Sequence, residues 1–476
     1  MSHRLDALYA PRSVAVVGAG ERATSSGGAV LQMLQRSGYR GEVFPINPKG
    51  GSAFGLAMQP SLTALKGPAD LCVIVIRPDL ILDSVKEAAA TGHKTILVLP
   101  GGFAEAGDEG RKRDAELRAL AQLHGLTIAG PNCAGLISLG RDARLGATFL
   151  RDLPPGGGLA LVSQSGALAE EVINAANQRG LPFGTVVTVG NAMQLGMTEH
   201  LDYLGQNPDV SAVFLYVESI DDPAAFRAVA RRVAAQKPVV MLIGGQTPEG
   251  AAAATAHTGA VPNDDASMAA FARECGVVRV KSLRHLLLAA QGFGRFPQGL
   301  GRRALILSNS GGPGVLATDA ALLAGLTVPP LPEAMRAALR AAVPPEASIA
   351  NPLDLLADAR EDRFGLTLEQ VKTNAAGAYD IVLGIHVVPF MVDPLPVVSR
   401  IAELAPNLGL PMLHSMMGTL PERAGLAATL ATGGVPLFAD IEEMAECAGL
   451  LARYPPLRAA AAGPQPMTKP ALRARG

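Results

Sequence analysis

The sequence predicts an α/β protein built from three consecutive doubly wound units. Short β-branched runs alternate with helical patterns along almost the whole chain, which is typical of parallel sheets covered by helices. Gly-rich stretches separate the units, and the second and third units begin with the same Ser-x-Ser-Gly motif. We therefore expect units at 1–150, 151–298 and 299–456, followed by a loose tail at 457–476.

Each unit is defined by its predicted strands. In the first unit these are Ser13–Val17, Val43–Ile46, Leu71–Ile76 and Thr95–Leu99, with helices near Ala29–Ser37 and Leu80–Thr91. In the second unit they are Leu159–Val162, Thr185–Val189, Ala212–Tyr216 and Val239–Ile243. In the third unit they are Ala304–Leu307, Asp380–Val388 and Leu410–Leu413.

Composition excludes several classes of function. The 41 Lys and Arg residues balance 42 Asp and Glu residues, so the net charge of −1 offers no electrostatic footprint for nucleic acid or for an anionic membrane. No apolar run reaches the ~18 residues of a membrane span, and the N-terminus lacks the layout of a signal peptide. The four cysteines form no C-x-x-C pair for zinc or redox chemistry. We expect a soluble cytoplasmic protein.

A Gly-rich loop, Val16–Gly28, follows the first predicted strand and leads into the first helix. Glycines let backbone amides approach a phosphate, and the helix N-terminus adds a favourable dipole. An NAD site would place an acidic residue at the end of the second strand, where this chain has Lys49. Two interpretations remain from these residues alone, an NADP site and a coenzyme A site.

An ordered set of short motifs runs from about Leu5 to Tyr454. They are Ser13–Gly18, Asn47–Lys49, Gly102–Glu105, Gly130–Cys133, Ser163–Ala167, Gly190–Asn191, Glu218–Ile220, His257–Gly259, Gly311–Gly314 and Asn351–Asp354. In this order they resemble the α subunit of the ADP-forming acyl-CoA synthetases, relatives of succinyl-CoA synthetase. The resemblance implies a Rossmann-like CoA-binding domain at 1–150, a flavodoxin-like phosphohistidine domain at 151–298 and a second flavodoxin-like domain at 299–456.

The resemblance also implies the residues that bind coenzyme A. They are Gly18, Ser25, Ser26, Gly27, Lys49, Ile76, Pro78, Gly102, Phe103, Asn132 and Cys133.

His257 lies in a run of small residues that we predict to be a loop between a strand and a later helix. An imidazole is nucleophilic near neutral pH and can carry a phosphoryl group covalently. The two Ser-x-Ser-Gly starts each offer hydroxyls and glycines at a helix N-terminus, which is a site for an anion. By resemblance, Glu218 orients His257. The resemblance also implies that the phosphate is held by Ser163, Gln164, Ser165, Gly166, Asn309, Ser310, Gly311 and Gly312.

The implied reaction is acid plus CoA plus ATP giving acyl-CoA, ADP and phosphate, through an acyl phosphate and a phosphohistidine. The acid is a small carboxylic acid whose identity the motifs do not give. Because three units account for the chain, we expect ATP or ADP with Mg²⁺ to bind an ATP-grasp β subunit in a hetero-oligomer. We expect no metal site on this chain itself, and no nucleic acid or membrane partner.

Two alternatives compete with a ligase subunit. Where the family has basic residues before the phosphohistidine, this chain has Ile243, Gln246 and Ala252. That departure favours a CoA- or acyl-CoA-binding protein with weakened turnover and a scaffold or sensor role. An NADP oxidoreductase ranks last, because no Tyr-Lys or His-Asp set accompanies the first predicted sheet.

Overall fold

The computed structural model of the chain describes residues 3–463, except positions 23, 141–143, 259–264, 376 and 421, and only the backbone at 255–258.

The first unit alternates strands with helices around a parallel sheet ordered β2–β1–β5–β6–β7. Its elements are α1 (Asp6–Tyr9), β1 (Ser13–Val17), α2 (Ser26–Arg36), β2 (Glu42–Ile46), β3 (Ser52–Ala53), β4 (Leu56–Ala57), β5 (Leu71–Ile74), α3 (Pro78–Ala90), β6 (Thr95–Val98), α4 (Gly107–His124), β7 (Thr127–Ala129), β8 (Gly135–Ser138) and β9 (Leu145–Thr148). Strands β5 and β6 are buried along their whole length, as expected for strands covered on both faces.

The second unit has a sheet ordered β14–β13–β12–β10–β11–β8–β9. Its own elements are β10 (Leu159–Ser163), α5 (Gly166–Arg179), β11 (Phe183–Thr188), α6 (Met197–Gln206), β12 (Ala212–Val217), α7 (Pro223–Ala234), β13 (Val239–Ile243), α8 (Pro248–Thr258), α9 (Asp265–Glu274), β14 (Val278–Val280) and α10 (Leu283–Arg295). The predicted first range, 1–150, therefore includes a hairpin, β8–β9, that pairs with β11 and extends the second sheet.

The third unit has a sheet ordered β16–β17–β15–β18–β19–β20. Its elements are β15 (Ala304–Ser308), α11 (Gly311–Leu323), α12 (Glu333–Ala342), β16 (Ser348–Ile349), β17 (Leu353–Asp354), α13 (Glu361–Asn374), β18 (Ile381–Val387), α14 (Pro394–Leu404), β19 (Met412–Met417), α15 (Arg423–Thr432), β20 (Leu437–Phe438) and α16 (Ile441–Ala462). The predicted loose tail from 457 differs from the structure, since α16 continues to Ala462, where Arg231 of the second unit donates to the carbonyl groups of Ala460 and Ala461.

The three units repeat one topology and share their cores. In each sheet the main parallel strands follow the chain order 2-1-3-4-5, so the order reverses beside the first strand. One core cluster joins the second and third units, where the rings of Phe293 and Tyr454 meet edge to face. A second core cluster joins the first and second units and includes Leu8 of α1 and Leu204 of α6. The prediction of three consecutive doubly wound units is confirmed. Within the described residues, no helix is both long and apolar enough to cross a membrane.

Candidate functional site

A crevice of about 920 Å³ opens at the carboxyl ends of β1 and β5 in the first unit. Ligands of doubly wound folds bind at this position, where the strand order reverses. The residues that line the crevice are Gly18, Ser26, Lys49, Val75, Ile76, Arg77, Leu80, Leu99, Pro100 and Phe149. Four residues predicted to bind CoA are therefore brought together here: Gly18, Ser26, Lys49 and Ile76.

The loop between β1 and α2 requires glycine at Gly18. Its φ is +92°, and a Cβ there would lie 2.4 Å from the carbonyl oxygen of Val75. At Gly27 a Cβ would lie 2.1 Å from the carbonyl oxygen of Gly18. Ser25 caps α2, because its Oγ accepts a hydrogen bond from the Gly28 amide at 3.2 Å. The loop thus brings backbone amides and a helix N-terminus to the edge of the crevice.

Lys49 is exposed at the rim of the crevice, in the turn after β2. Asn47 shapes this turn: its Oδ1 accepts from the Lys49 amide at 3.0 Å, and its Nδ2 donates to the Ala19 carbonyl at 2.7 Å. The second hydrogen bond ties the turn to the Gly-rich loop. A cation is therefore held beside a loop of amide donors, a combination suited to a phosphate group.

Pro78 and Gly102 pack against each other and are not among the residues that line the crevice. Pro78 is the first residue of α3, and a Cβ on Gly102 would lie 2.8 Å from its ring. Phe103 is fully buried and packs in the core of the first unit, where the Arg113 guanidinium lies 5.8 Å from its ring centre. The side chain of Phe103 is thus occupied by packing and does not line the crevice.

Asn132 and Cys133 lie in the loop that leads out of the first sheet. The Cys133 thiol is buried beside the Val98 carbonyl, and burial raises its pKa to about 12, so it remains protonated at neutral pH. Asn132 lies at the junction with the second unit, where its Nδ2 donates to Asn191 Oδ1 at 3.2 Å. The Cys133 side chain thus lies in the core and the Asn132 side chain lies at the junction, and neither residue is among those that line the crevice.

Glu105 completes this junction. One of its oxygens accepts from the Gly102 and Phe103 amides, and the other accepts from Asn191 Nδ2. Partial burial alone would raise the pKa of the Glu105 carboxyl, but these hydrogen bonds together lower it. The first and second units are therefore joined by a charged hydrogen-bond network. Its residues belong to three of the ordered motifs found in the sequence, Gly102–Glu105, Gly130–Cys133 and Gly190–Asn191.

Several crevice residues were missed at the sequence level. Leu80, Leu99, Pro100 and Phe149 line it without belonging to any phosphate-binding pattern. Phe149 follows β9, so its place at a first-unit crevice depends on how the β8–β9 hairpin packs. No local sequence signal carries that information.

Two loops carry the predicted phosphate-binding residues, and we call them the first and second cradles. The first cradle, Ser163–Gly166, connects β10 to α5. Ser163 is fully buried, and its Oγ donates to the Ser165 carbonyl at 2.7 Å and accepts from the Ser165 amide at 3.1 Å. Ser165 caps α5 through the Leu168 amide. Gln164 Oε1 accepts from the amides of Glu218 and Ser219, and its Nε2 donates to the Ser219 carbonyl at 3.0 Å.

The second cradle, Ser308–Gly312, connects β15 to α11 with the same hydroxyl geometry. Ser308 Oγ donates to the Ser310 carbonyl at 2.9 Å and accepts from the Ser310 amide at 3.1 Å. Asn309 exchanges two hydrogen bonds of 2.8 Å with the backbone of Val387 at the end of β18. The amide side chains of both cradles thus clamp a neighbouring strand, which leaves backbone amides and the helix ends as the anion-binding groups.

Glu218 lies just beyond β12 and is half-buried. Burial and the neighbouring Glu218 carboxylate raise the pKa of Tyr216 to about 12. A Cβ on Gly244 would lie 3.1 Å from Tyr216 Oη and 3.7 Å from Glu218 Cγ. Glu218 is therefore held beside the first cradle and beside the segment that leads into α8.

His257 lies in α8, so the predicted loop is helical up to Thr258. The run of alanines before it has high helix propensity, which overrides the interpretation of small residues as a loop. The side chain of His257 and residues 259–264 lie outside the described part of the chain. The predicted pairing of His257 with Glu218 and with the cradles therefore remains a prediction.

The positions that depart from the family pattern surround the start of α8. Gln246 Nε2 donates to the carbonyl groups of Ile243 at 3.2 Å and Lys281 at 2.9 Å, linking the ends of β13 and β14. Ile243 is buried at the end of β13, and Ala252 is exposed on α8. Among the described residues, no group of three or more His, Cys, Asp or Glu side chains could hold a metal ion.

Comparison with known proteins agrees with this architecture. A family model described as "CoA binding domain" matches residues 12–139, and one described as "Succinyl-CoA ligase like flavodoxin domain" matches residues 156–293. The chain is 31% identical to the alpha subunit of ADP-forming acetate–CoA ligase II from Pyrococcus furiosus, over 93% of this chain and 96% of that subunit. It is 30% identical to the ADP-forming 4-hydroxybutyrate–CoA ligase of Nitrosopumilus maritimus, over 91% of this chain and 62% of that relative.

Among solved structures, the chain is similar to acetyl-coenzyme A synthetase 1 from Candidatus Korarchaeum cryptofilum, determined in complex with phosphate and ADP. The TM-score is 0.89 at 28% identity, with 96% of this chain and 98% of that chain covered. The likeness extends over all three units.

Proposed function

The chain belongs to the family of ADP-forming acyl-CoA ligases, and we propose that it is the CoA-binding, phosphohistidine-bearing subunit of such a ligase. The observation that carries this proposal is the first-unit crevice, which combines the close-approach loop at Gly18 with Lys49 at its rim. A Cβ at Gly18 or Gly27 would collide with backbone, so the loop is shaped for amides to approach a ligand closely.

The proposed reaction converts a small carboxylic acid, CoA and ATP into acyl-CoA, ADP and phosphate. CoA supplies the thiol that receives the acyl group. His257 carries the phosphoryl group, and Glu218 orients the imidazole and stabilises its charge. The backbone amides at Gly166, Gly311 and Gly312 hold the phosphoryl oxygens at helix N-termini.

We propose that ATP and Mg²⁺ bind a separate ATP-grasp β subunit and that the complex acts in the cytoplasm. The chain spans 96% of a relative named an alpha subunit but 62% of the 4-hydroxybutyrate–CoA ligase, so 38% of that longer relative is not matched by this chain. The four cysteines are all buried free thiols, which suits a reducing compartment.

The proposed docking surface for that subunit is a set of exposed apolar side chains around the second cradle. Phe390 and Met391, in the loop after β18, are 99% and 51% exposed. Leu395 is the second residue of α14, and Val315 and Leu316 lie in the second turn of α11. These five residues share the carboxyl edge of the third sheet, and exposed apolar clusters of this kind mark protein interfaces.

A CoA-binding protein without turnover is the alternative to this proposal, and the comparisons with known proteins give it no support. Two measurements separate the candidates. Calorimetric titration should show CoA binding to the chain alone, weakened about tenfold by Lys49→Ala, which removes a phosphate-binding cation, and unchanged by Lys66→Ala, which removes an exposed cation elsewhere. Acyl-CoA formation should then require the ATP-grasp subunit.

If CoA binds but no acid yields acyl-CoA in the complex, the binding-protein alternative is correct. If Lys49→Ala and Lys66→Ala bind CoA equally well, the assignment of the crevice is wrong.

A further inference from the structure

A groove of about 850 Å³ runs along α16 at the joint between the second and third units. One wall comes from α9, β14 and the start of α10, and the other comes from the end of α11 and from α16. Its volume is within the range of small-molecule sites, about 300–1,000 Å³. The groove shares no lining residue with the first-unit crevice, so it is a separate site.

The floor of this α16 groove is apolar. Val278 and Val280 of β14 line it, together with Ala272 of α9 and Leu450 of α16. All four side chains are also buried in the cores of the two units. Because β14 is the edge strand of the second sheet, the floor is a rigid surface built from packed elements.

The rim of the groove is cationic. Arg273, Arg302 and Arg453 line it and are exposed, and the described part of the chain offers none of them an ion-pair partner. The segments that carry Arg273 and Arg302 pack against the same stretch of α16 that carries Arg453. Gly449 packs on the Ala324 carbonyl oxygen near the Arg302 wall, and Gly276, three residues after Arg273, packs near the Leu457 carbonyl oxygen.

A fourth guanidinium, that of Arg279, is nine-tenths buried in the groove wall. Its terminal nitrogens donate to Asp265, while its Nε is buried without a hydrogen-bond partner among the described residues. A buried donor of this kind is costly unless a further acceptor reaches it.

The remaining charges of the groove are largely paired. Glu446 accepts from Arg284 at 2.5 Å and lies 3.7 Å from His285, and Lys281 lies 3.9 Å from Asp265. Glu442 lines the groove eleven residues before Arg453, which corresponds to about 16 Å along the helix. The end near Arg453 therefore has a net positive charge over an apolar floor.

We propose that the α16 groove binds an organic anion, with its phosphate or carboxylate group against Arg273, Arg302 and Arg453 and its apolar part on the floor. Arginine forks match the oxygens of both groups. Because two units form the walls, the bound anion stabilises the joint between them. This site is additional to the proposed CoA crevice and does not depend on ligase activity.

Matched probes test the proposal by calorimetric titration of the whole chain. Octyl phosphate carries both charge and apolar chain, inorganic phosphate only the charge, and octanol only the chain. We expect octyl phosphate to bind at a 1:1 ratio and at least about tenfold more tightly than either of the others. Octanoate then tells which anionic group the site prefers.

Two variants locate the site. The double substitution Arg273→Ala with Arg453→Ala should weaken octyl phosphate binding about tenfold or more. The double substitution Arg111→Ala with Lys112→Ala, on the exposed face of α4, removes the same charge elsewhere and should leave binding unchanged. Lys49→Ala should also leave it unchanged. Equal binding by the groove variant and the α4 variant, or octanol binding as tightly as octyl phosphate, would overturn the proposal.

Discussion

The second and third units start their first helices from nearly the same loop, yet the chain that follows their third strands differs in chemistry. In both units a buried serine, Ser163 or Ser308, exchanges hydrogen bonds with the residue two positions on. The residue between the two serines is Gln164 or Asn309. Its side-chain amide forms hydrogen bonds with the backbone at the carboxyl end of β12 or β18, respectively. After β12 that strand end presents Glu218, whereas after β18 it leads to the exposed Phe390.

This comparison separates what maintains the fold from what performs the function. The serine network is common to both units and is explained by the turn from strand to helix. The clamped loop differs: in the second unit it positions a carboxylate, and in the third unit it presents an apolar surface. This difference is consistent with our proposal that the second-unit loop takes part in catalysis and the third-unit loop in docking of the partner.

The largest expected difference between the second and third units is the stability that each loses at acidic pH. Burial lowers the pKa of His386 to about 4 and that of His414, aided by its neighbour His386, to about 3. Among the described side chains of the second unit there is one such group, His200, with a pKa lowered to about 3 by burial. Unfolding lets each bind a proton below its ordinary pKa of about 6.5, so stability falls as pH drops from about 6.5 towards 4. At pH 4.5 the loss is about 2–3 kcal/mol per histidine.

Hydrogen exchange resolved by unit, measured between pH 7 and pH 4.5, checks this prediction. The free energy of unfolding of the third unit should fall by about 5 kcal/mol, and that of the second unit by about half as much. His386→Leu with His414→Leu should flatten the profile of the third unit. Parallel profiles in the unmodified chain would contradict the account.

Removing the two clamps should have different consequences. Gln164→Ala releases the Glu218 and Ser219 amides, so we expect kcat of the complex to fall about 100-fold through loss of carboxylate positioning. Asn309→Ala removes both hydrogen bonds from the half-buried Val387 backbone and should cost about 1–3 kcal/mol of stability, with a smaller effect on kcat. Steady-state kinetics and thermal unfolding of both variants measure the difference. Equal losses of kcat would show that the loops are not specialised.

The apolar loop of the third unit should matter for assembly. Phe390→Asp places a charge in the proposed docking surface and should weaken binding of the ATP-grasp subunit by about 2 kcal/mol, or roughly 30-fold. Leu323→Asp, at an 89% exposed position at the far end of α11, serves as the control. Interferometry with immobilised chain measures both. If the two variants bind the partner alike, the docking surface lies elsewhere.

The shared serines should respond alike. Ser163→Ala and Ser308→Ala each remove a buried hydroxyl with two hydrogen bonds, at a cost of about 1–2 kcal/mol. Ser399→Ala, on the exposed side of α14, should cost less. Urea unfolding gives the three values, and a large difference between Ser163→Ala and Ser308→Ala would break the structural equivalence of the cradles.

The smallest difference concerns the cradle glycines. A Cβ on Gly312 meets nothing within 4 Å, whereas one on Gly166 lies 3.2 Å from Ala134 Cβ. Gly312→Ala should be neutral or stabilising by about 0.5 kcal/mol, and Gly166→Ala should destabilise by up to about 1 kcal/mol. Melting temperatures test the order, and the reverse order would show that the first cradle is the more open one.

The sequence was informative wherever a motif coincided with a local physical requirement. Strand β1 begins and ends at the predicted residues, and Gly18 is needed for the close backbone approach it was expected to make. For Cys133 and Phe103 the motifs did not predict the position of the side chain, because a motif in the sequence does not reveal which way a side chain points. The structure places both in the core.

Long-range packing could not be predicted. The β8–β9 hairpin joins the second sheet, so Phe149 reaches the first-unit crevice through a tertiary contact. The α16 groove combines residues nearly two hundred positions apart, from Ala269 to Leu457. The helical state of α8 was missed for a different reason, since the small residues were interpreted as a loop although the alanines among them favour a helix.

Phosphoryl labelling tests the central claim most directly. The chain is incubated with the ATP-grasp subunit, Mg²⁺ and ATP labelled at the γ-phosphate, and label stable to base but labile to acid is counted on this chain. We predict stable label on the unmodified chain and on His124→Ala, an exposed control, and none on His257→Ala. Equal labelling of the His257→Ala variant, or no label on the unmodified chain in a complex that forms acyl-CoA, would contradict the assignment of His257 as the phosphoryl carrier.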